Sequence, residues 1–284
     1  MTIIGDHYAL LASRLTKTWK IPLSVIIHDD LKLRETTKQG RIKFEKYAKL
    51  VLDRSARAWL VSPEMKDAFS FNESTRISVL LPLPEGSNQN FVEWKQSFKT
   101  NPVIAHAGSF YLFHVPYFKK IAEILKRFNG TLLIVTSKDN PALLSLLEAS
   151  TNVKVQEPFD RNQDVLCFLK DNASCMLICY PFGLEQHPWT ATSFPSRMVE
   201  FMHLGLPFLI LASPNTALAN WGMRNNWRSY FDHLDESSLS NFFEELTREE
   251  TWSLMAAQAQ YAATHEFDPD QIQAQFENEL ELLS

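Results

Sequence analysis

The stretch Ser193-Phe194-Pro195-Ser196-Arg197-Met198-Val199-Glu200 sets a serine and an arginine at the start of a helical pattern and an acid one turn inside it. Ser196, Glu200 and His203 fall at i, i+4 and i+7, so they share one helix face with Arg197 at its margin. A helix start offers free backbone N–H groups and about half a positive charge, which suits phosphate. An ionised carboxylate only accepts hydrogen bonds, which suits the paired hydroxyls of a ribose. The simpler reading makes Glu200 part of a solvated face, and pattern alone leaves both open. A second place is Gly108-Ser109, where a residue without a side chain ends an apolar run and lets backbone approach a ligand. A third is His28-Asp29-Asp30, three ionisable residues closing the apolar stretch that starts at Pro22; they make either a site or a plain loop start.

Other candidates carry less. Glu185 and His187 share one loop, and two ligands on a loop make no metal site. Cys167, Cys175 and Cys179 form no CxxC pair and no zinc spacing, and read as reduced, small core residues. Neither a G-x-S-x-G elbow nor a G-x-x-x-x-G-K-[ST] phosphate loop occurs.

The elements that must position these residues follow from periodicity. From residue 101 onward, strands rich in Val, Ile and Leu (103–107, 131–137, 152–158, 175–181, 207–213) alternate with helical patterns (116–129, 140–150, 162–173, 195–205, 215–227). Asn140 and Pro141 are a cap and first position, and Gly130 is a stop. Such alternation predicts a doubly wound α/β domain around a parallel sheet, with ligands beyond the carboxyl ends of the strands. The first hundred residues show the same grammar with three strands (22–30, 58–62, 77–84) and helices at 10–20, 40–56 and 63–69. Three strands make a thin sheet, the half of a larger α/β unit. Residues 85–102 are polar and weakly patterned, the best linker. The predicted division is 1–86, a linker at 87–101, 102–264, and a C-terminal helix at 265–284 that packs back on the first domain.

Composition narrows the classes. The chain is 45% hydrophobic with a net charge of −5, which argues against a dedicated nucleic-acid binder. No apolar run is long enough to span a bilayer, and Met1–Asp6 lacks the pattern of a secretion signal. These features predict a cytoplasmic protein. The basic polar face of helix 40–56 is either solvated or a peripheral contact with anionic lipid at the inner membrane face.

Taken in order, these residues resemble the GT-B-fold retaining glycosyltransferases. Phe182-Gly183 followed by Phe194 to Ile210 is similar to their nucleotide-sugar signature, in the version that places Pro-Ser-Lys before the acid and ends in Gly-x-Pro. Ile26 to Asp30 resembles the His-Asp strand end of their N-terminal domain, residues 56–69 the strand-serine-helix that follows, and His106 to Phe110 the glycine loop of the C-terminal domain. The resemblance implies that Glu200 binds the donor ribose and that Ser196, Arg197, Gly108 and Ser109 meet the diphosphate. Phe182 and Gly183 would shape the sugar pocket, with His28 reaching the sugar from the opposite domain. His28 and Arg197 are thereby the expected catalytic residues. It implies a nucleoside diphosphate-sugar donor, no metal and no further cofactor, and a saccharide, lipid-linked or small-molecule acceptor.

Three departures stand out. Position 192, eight before Glu200, is Thr where the fuller signature has a second acid. The glycine loop has no close Arg or Lys; the next basic residues are Lys119 and Lys120. The N-terminal half falls short of the family's by roughly a hundred residues, a domain's worth of chain. A catalytically silent GT-B-like binding module and a nucleotide-sugar epimerase are the alternatives.

Overall fold

The computed structural model describes residues 1–4, 7–30, 37–85 and 90–283. Two parallel sheets organise them. The first contains β1 (Thr2–Ile3), β2 (Leu23–Ile27), β3 (Ser55–Leu60) and β4 (Arg76–Val79), side by side in chain order. Helices α1 (His7–Trp19) and α2 (Lys38–Leu52) cross between them. Right-handed crossovers that all advance in one direction put both helices on the same face. The fourth strand corrects the expectation of three: β1 is two residues long, too short for a period of two to show. Residues 63–68 form a 3-10 turn, with Pro63 at its first position.

The second sheet follows α3 (Gln96–Thr100) and holds six strands: β5 (Val103–Ala107), β6 (Thr131–Val135), β7 (Val153–Gln156), β8 (Cys175–Cys179), β9 (Phe208–Leu211) and β10 (Tyr230–Phe231). Between them run α4 (His114–Lys126), α5 (Pro141–Ala149), α6 (Asn162–Asn172), α7 (Ser196–Met202) and α8 (Ala217–Arg224). The strand order is β10-β9-β8-β5-β6-β7 and every pairing is parallel. Layers on both faces bury β6, β8 and β9 throughout, which is why these strands read as unbroken apolar runs. Local chemistry sets the helix ends. The Asn140 side chain accepts the Ala142 N–H ahead of Pro141, Thr216 caps α8 the same way, and the Gly130 N–H returns to the Leu125 carbonyl. Cys175 and Cys179 are buried in β8. Cys167 is exposed, contrary to expectation, because α6 turns Leu166 and Leu169 inward and leaves position 167 outside.

The polar segment 85–102 lies partly outside the described residues, as does the expected boundary at 86. Its described part is packed. The Val92 N–H donates to the Leu204 carbonyl, and Phe98 of α3 is buried against Trp94 and Trp252. Scattered aromatic anchors hold this strap without any period that a sequence pattern reveals. After α9 (Glu236–Leu246) and α10 (Glu249–His265), the chain breaks at Asp268, and α11 (Pro269–Glu281) reaches the first sheet. There Glu279 accepts from Arg57 at 2.6 Å and from the Trp59 indole at 2.7 Å, and Phe276 packs on Trp59.

Candidate functional site

In the second sheet, β5 leads to β6 and β7 on one side, while β8 begins the other side. Loops leaving β5 and β8 therefore diverge, and the crevice between them is where an open α/β sheet receives ligands. A cavity of about 780 Å³ opens there. Gly108, Ser109, Tyr180, Ser196 and Arg197 line it, and His28 joins them from the end of β2 in the first sheet. A second cavity of about 700 Å³ continues past the ends of β6 and β7, walled by Thr136, Pro158, Phe159, Asn162 and Glu200. Gly108, Ser109 and Arg197 belong to both walls, so the two spaces adjoin across them.

Glu200 is half-buried and already organised. Its Oε1 accepts from the Asn162 side-chain amide at 2.7 Å, and its Oε2 accepts from the Glu85 N–H at 3.3 Å. Two carboxylate oxygens provide about four acceptor directions, so two remain for a ligand's hydroxyls. Asn162 is also tied to Arg197, whose guanidinium donates to its Oδ1 at 3.3 Å. Arg197 lies over the Phe201 ring, and its Cγ is 3.8 Å from where a Cβ on Gly108 would stand. Gly108 has φ +132, a conformation that side-chain-bearing residues rarely adopt. The missing basic residue near the glycine loop is thus supplied from α7. Lys120 is occupied elsewhere, ion-paired with Glu236.

Beneath the glycine loop lies a pair that the sequence did not single out. His106 lies in β5 and His114 opens α4; their rings are 5.1 Å apart and both are buried. The Nδ1 of His114 accepts the Tyr111 N–H at 3.1 Å, and its Nε2 lies 3.2 Å from the Cys179 carbonyl. The first contact requires a bare nitrogen, so the proton sits on Nε2 and the ring is neutral. Burial, reinforced by His106, pushes the His114 pKa down to about 3. His106 is likewise lowered by burial, with Nδ1 at the Leu177 carbonyl and Nε2 near the Ser109 carbonyl. The neutral His114 thereby pins the loop after β5 to strand β8, whereas a neutral His106 donates to only one of its two carbonyls.

Several expected residues lie elsewhere. Phe182 and Gly183 line neither cavity; their N–H groups donate to the Tyr117 hydroxyl and to Ser213 Oγ. Tyr180 and Trp189 take the wall instead. His203 does not share the Glu200 face: α7 ends at Met202, and the buried His203 ring bonds the Phe267 carbonyl at 3.0 Å. Thr192, in the place of the second acid, is buried; its carbonyl accepts the Ser62 hydroxyl at 2.6 Å, while its own Oγ1 is unpaired among the described residues. Asn162, Pro158 and Phe159 escaped notice because their signal is positional, at the carboxyl end of β7 and the start of α6. Among the described residues, no three His, Cys, Asp or Glu side chains group as metal ligands.

No family model and no curated protein matches the sequence. Solved structures do. HepE of Anabaena, solved with UDP and glucose, superposes with a TM-score of 0.67 at 15% identity, over 96% of this chain and 75% of its own. WaaG, a glycosyltransferase involved in lipopolysaccharide biosynthesis, gives 0.56 at 14% over 91% and 77%. The fold is GT-B. A putative UDP-N-acetylglucosamine 2-epimerase of Listeria monocytogenes shares it, at TM-score 0.54 and 15% identity over 98% of this chain and 74% of that one. Likeness at this level carries the GT-B architecture and leaves the reaction to the residues.

Proposed function

We propose that this chain is a glycosyltransferase that moves a sugar from a nucleoside diphosphate-sugar to an acceptor hydroxyl. The observation that carries the reading is Arg197 standing between two adjoining cavities, one holding Glu200 and the other open to His28. The base rests against Pro158 and Phe159, the ribose hydroxyls bond the free directions of Glu200, and the diphosphate lies along Gly108, Ser109, Ser196 and Arg197. The sugar then projects into the larger cavity toward His28. In the reaction the bond from the sugar's anomeric carbon to the diphosphate oxygen breaks. The acceptor oxygen forms the new bond and passes its proton to the departing diphosphate oxygen, whose charge Arg197 stabilises. Uridine is the leading base, since HepE was solved with UDP. Retention of configuration is supported by the family resemblance alone. Metal independence is supported by the guanidinium at the diphosphate position.

The buried Thr192, unable to act as an acid, supports a second reading: a GT-B module that binds the nucleotide and does not turn over. The epimerase reading shares the fold. Release of nucleoside diphosphate from UDP-, GDP- and ADP-sugars, assayed with saccharide acceptors and a metal chelator, separates these readings. Turnover of one donor, strongly reduced in His28→Ala with nucleotide affinity retained, is the expected result. Binding without turnover of any donor would favour the silent module.

A further inference from the structure

The first sheet carries a surface that the transfer reaction does not use. On α1, Tyr8, Leu11, Leu15 and Trp19 recur at helical spacing and are exposed, Tyr8 by 69% and Trp19 by 62%. The helix is anchored by its other side, where Ala9 and Ser13 are buried. Beside it, α2 exposes Ile42 and Leu50, with Lys43, Glu45 and Lys46 between them on the outer side, while Lys49 is ion-paired with Asp53. Arg54 donates to the Ser13 carbonyl and holds the two helices together. An apolar stripe of this length, ended by Tyr and Trp, is more than the single exposed leucines of an ordinary surface.

Charge identifies the occupant. Residues 1–54 carry eleven Lys and Arg against six Asp and Glu, whereas the whole chain is −5. A protein partner would be selected by shape and polar pairing. Interleaved lysines and apolar side chains on two helices lying parallel to one surface match the boundary of an anionic bilayer. There the rings and branched chains enter the headgroup level, and the ammonium groups meet lipid phosphate. We infer that the α1–α2 face docks this protein onto an anionic lipid surface. Among the described residues no helix is long and apolar enough to cross a membrane.

Co-sedimentation with vesicles tests this on the whole chain. Vesicles of equal parts phosphatidylglycerol and phosphatidylcholine should bind the protein, pure phosphatidylcholine much less, and added salt should release it. Lys43→Gln with Lys46→Gln should lower partitioning to the anionic vesicles by about thirtyfold, at roughly fivefold per removed charge. Leu11→Ser with Trp19→Ser should lower it on both vesicle types, and since both side chains are exposed, these variants fold. All variants should bind nucleoside diphosphate like the parent, which separates this inference from the transferase reading. Absence of binding to anionic vesicles by the folded parent would overturn it. So would a stable dimer that Leu11→Ser with Trp19→Ser dissociates, since the face would then be covered by a second copy.

Discussion

Glu200 shows how much chemistry a single spacing reveals and where it stops. Its distance from Ser196 and Arg197 along α7 is written in the local sequence, so its place beside them was legible. Asn162, which bonds both Glu200 and Arg197, sits on α6 and arrives only through the sheet topology. No local pattern couples positions so far apart in the chain. His106 and His114 were hidden for a related reason: in a strand and a helix start, each looks like an ordinary core residue until the rings meet. Their burial has a consequence for acid stability. His114 in the unfolded chain takes a proton near pH 6.5, whereas in the folded protein it resists until about 3. The unfolded state therefore binds more protons across that window, and stability falls as pH drops through it. Denaturant midpoints should decline from pH 6.5 downward, and His114→Gln should flatten part of the decline while lowering stability at neutral pH. An unchanged slope in the variant would show that His114 is not responsible.

At the scale of elements, dense Val, Ile and Leu runs between helices made the second sheet readable in advance, because burial on both faces leaves that composition no alternative. Short pieces escaped. β1 and β10 have two residues each, below any period, and the 90–100 strap relies on single aromatic anchors. The last helix was legible as a helix, while the residues that hold it to the first sheet were a matter of geometry. Arg57 is 5% exposed and its charge is met by Glu279 on α11. Glu279→Ala would leave a buried guanidinium without its carboxylate, at a cost of about 3–5 kcal/mol. Thermal unfolding should fall accordingly, and Arg57→Met with Glu279→Leu should recover much of the loss. A variant Glu279→Ala as stable as the parent would mean that α11 is held by Phe276 packing alone.

Across the whole molecule, polar contacts join residues that follow the two sheets. Ser62 at the end of β3 bonds the Thr192 carbonyl, and Glu64 accepts from Asn220 at 3.1 Å and from Arg224 at 2.8 Å. The same closure sets His28 of one sheet and Arg197 of the other on a single wall. That meeting depends on residues more than a hundred positions apart, and only the resemblance to a known architecture anticipated it. On the proposed function, the space from Phe159 through Glu200 to Arg197 holds a nucleoside diphosphate. Calorimetric titration of the parent and Glu200→Gln with UDP, GDP and ADP, in the presence of a metal chelator, tests it most directly. One of them should bind the parent at about 4–8 kcal/mol, in the range from micromolar to millimolar. Glu200→Gln should lose about 1–3 kcal/mol of that with its fold intact. No binding of any of the three by the folded parent, or equal affinity in Glu200→Gln, would contradict it.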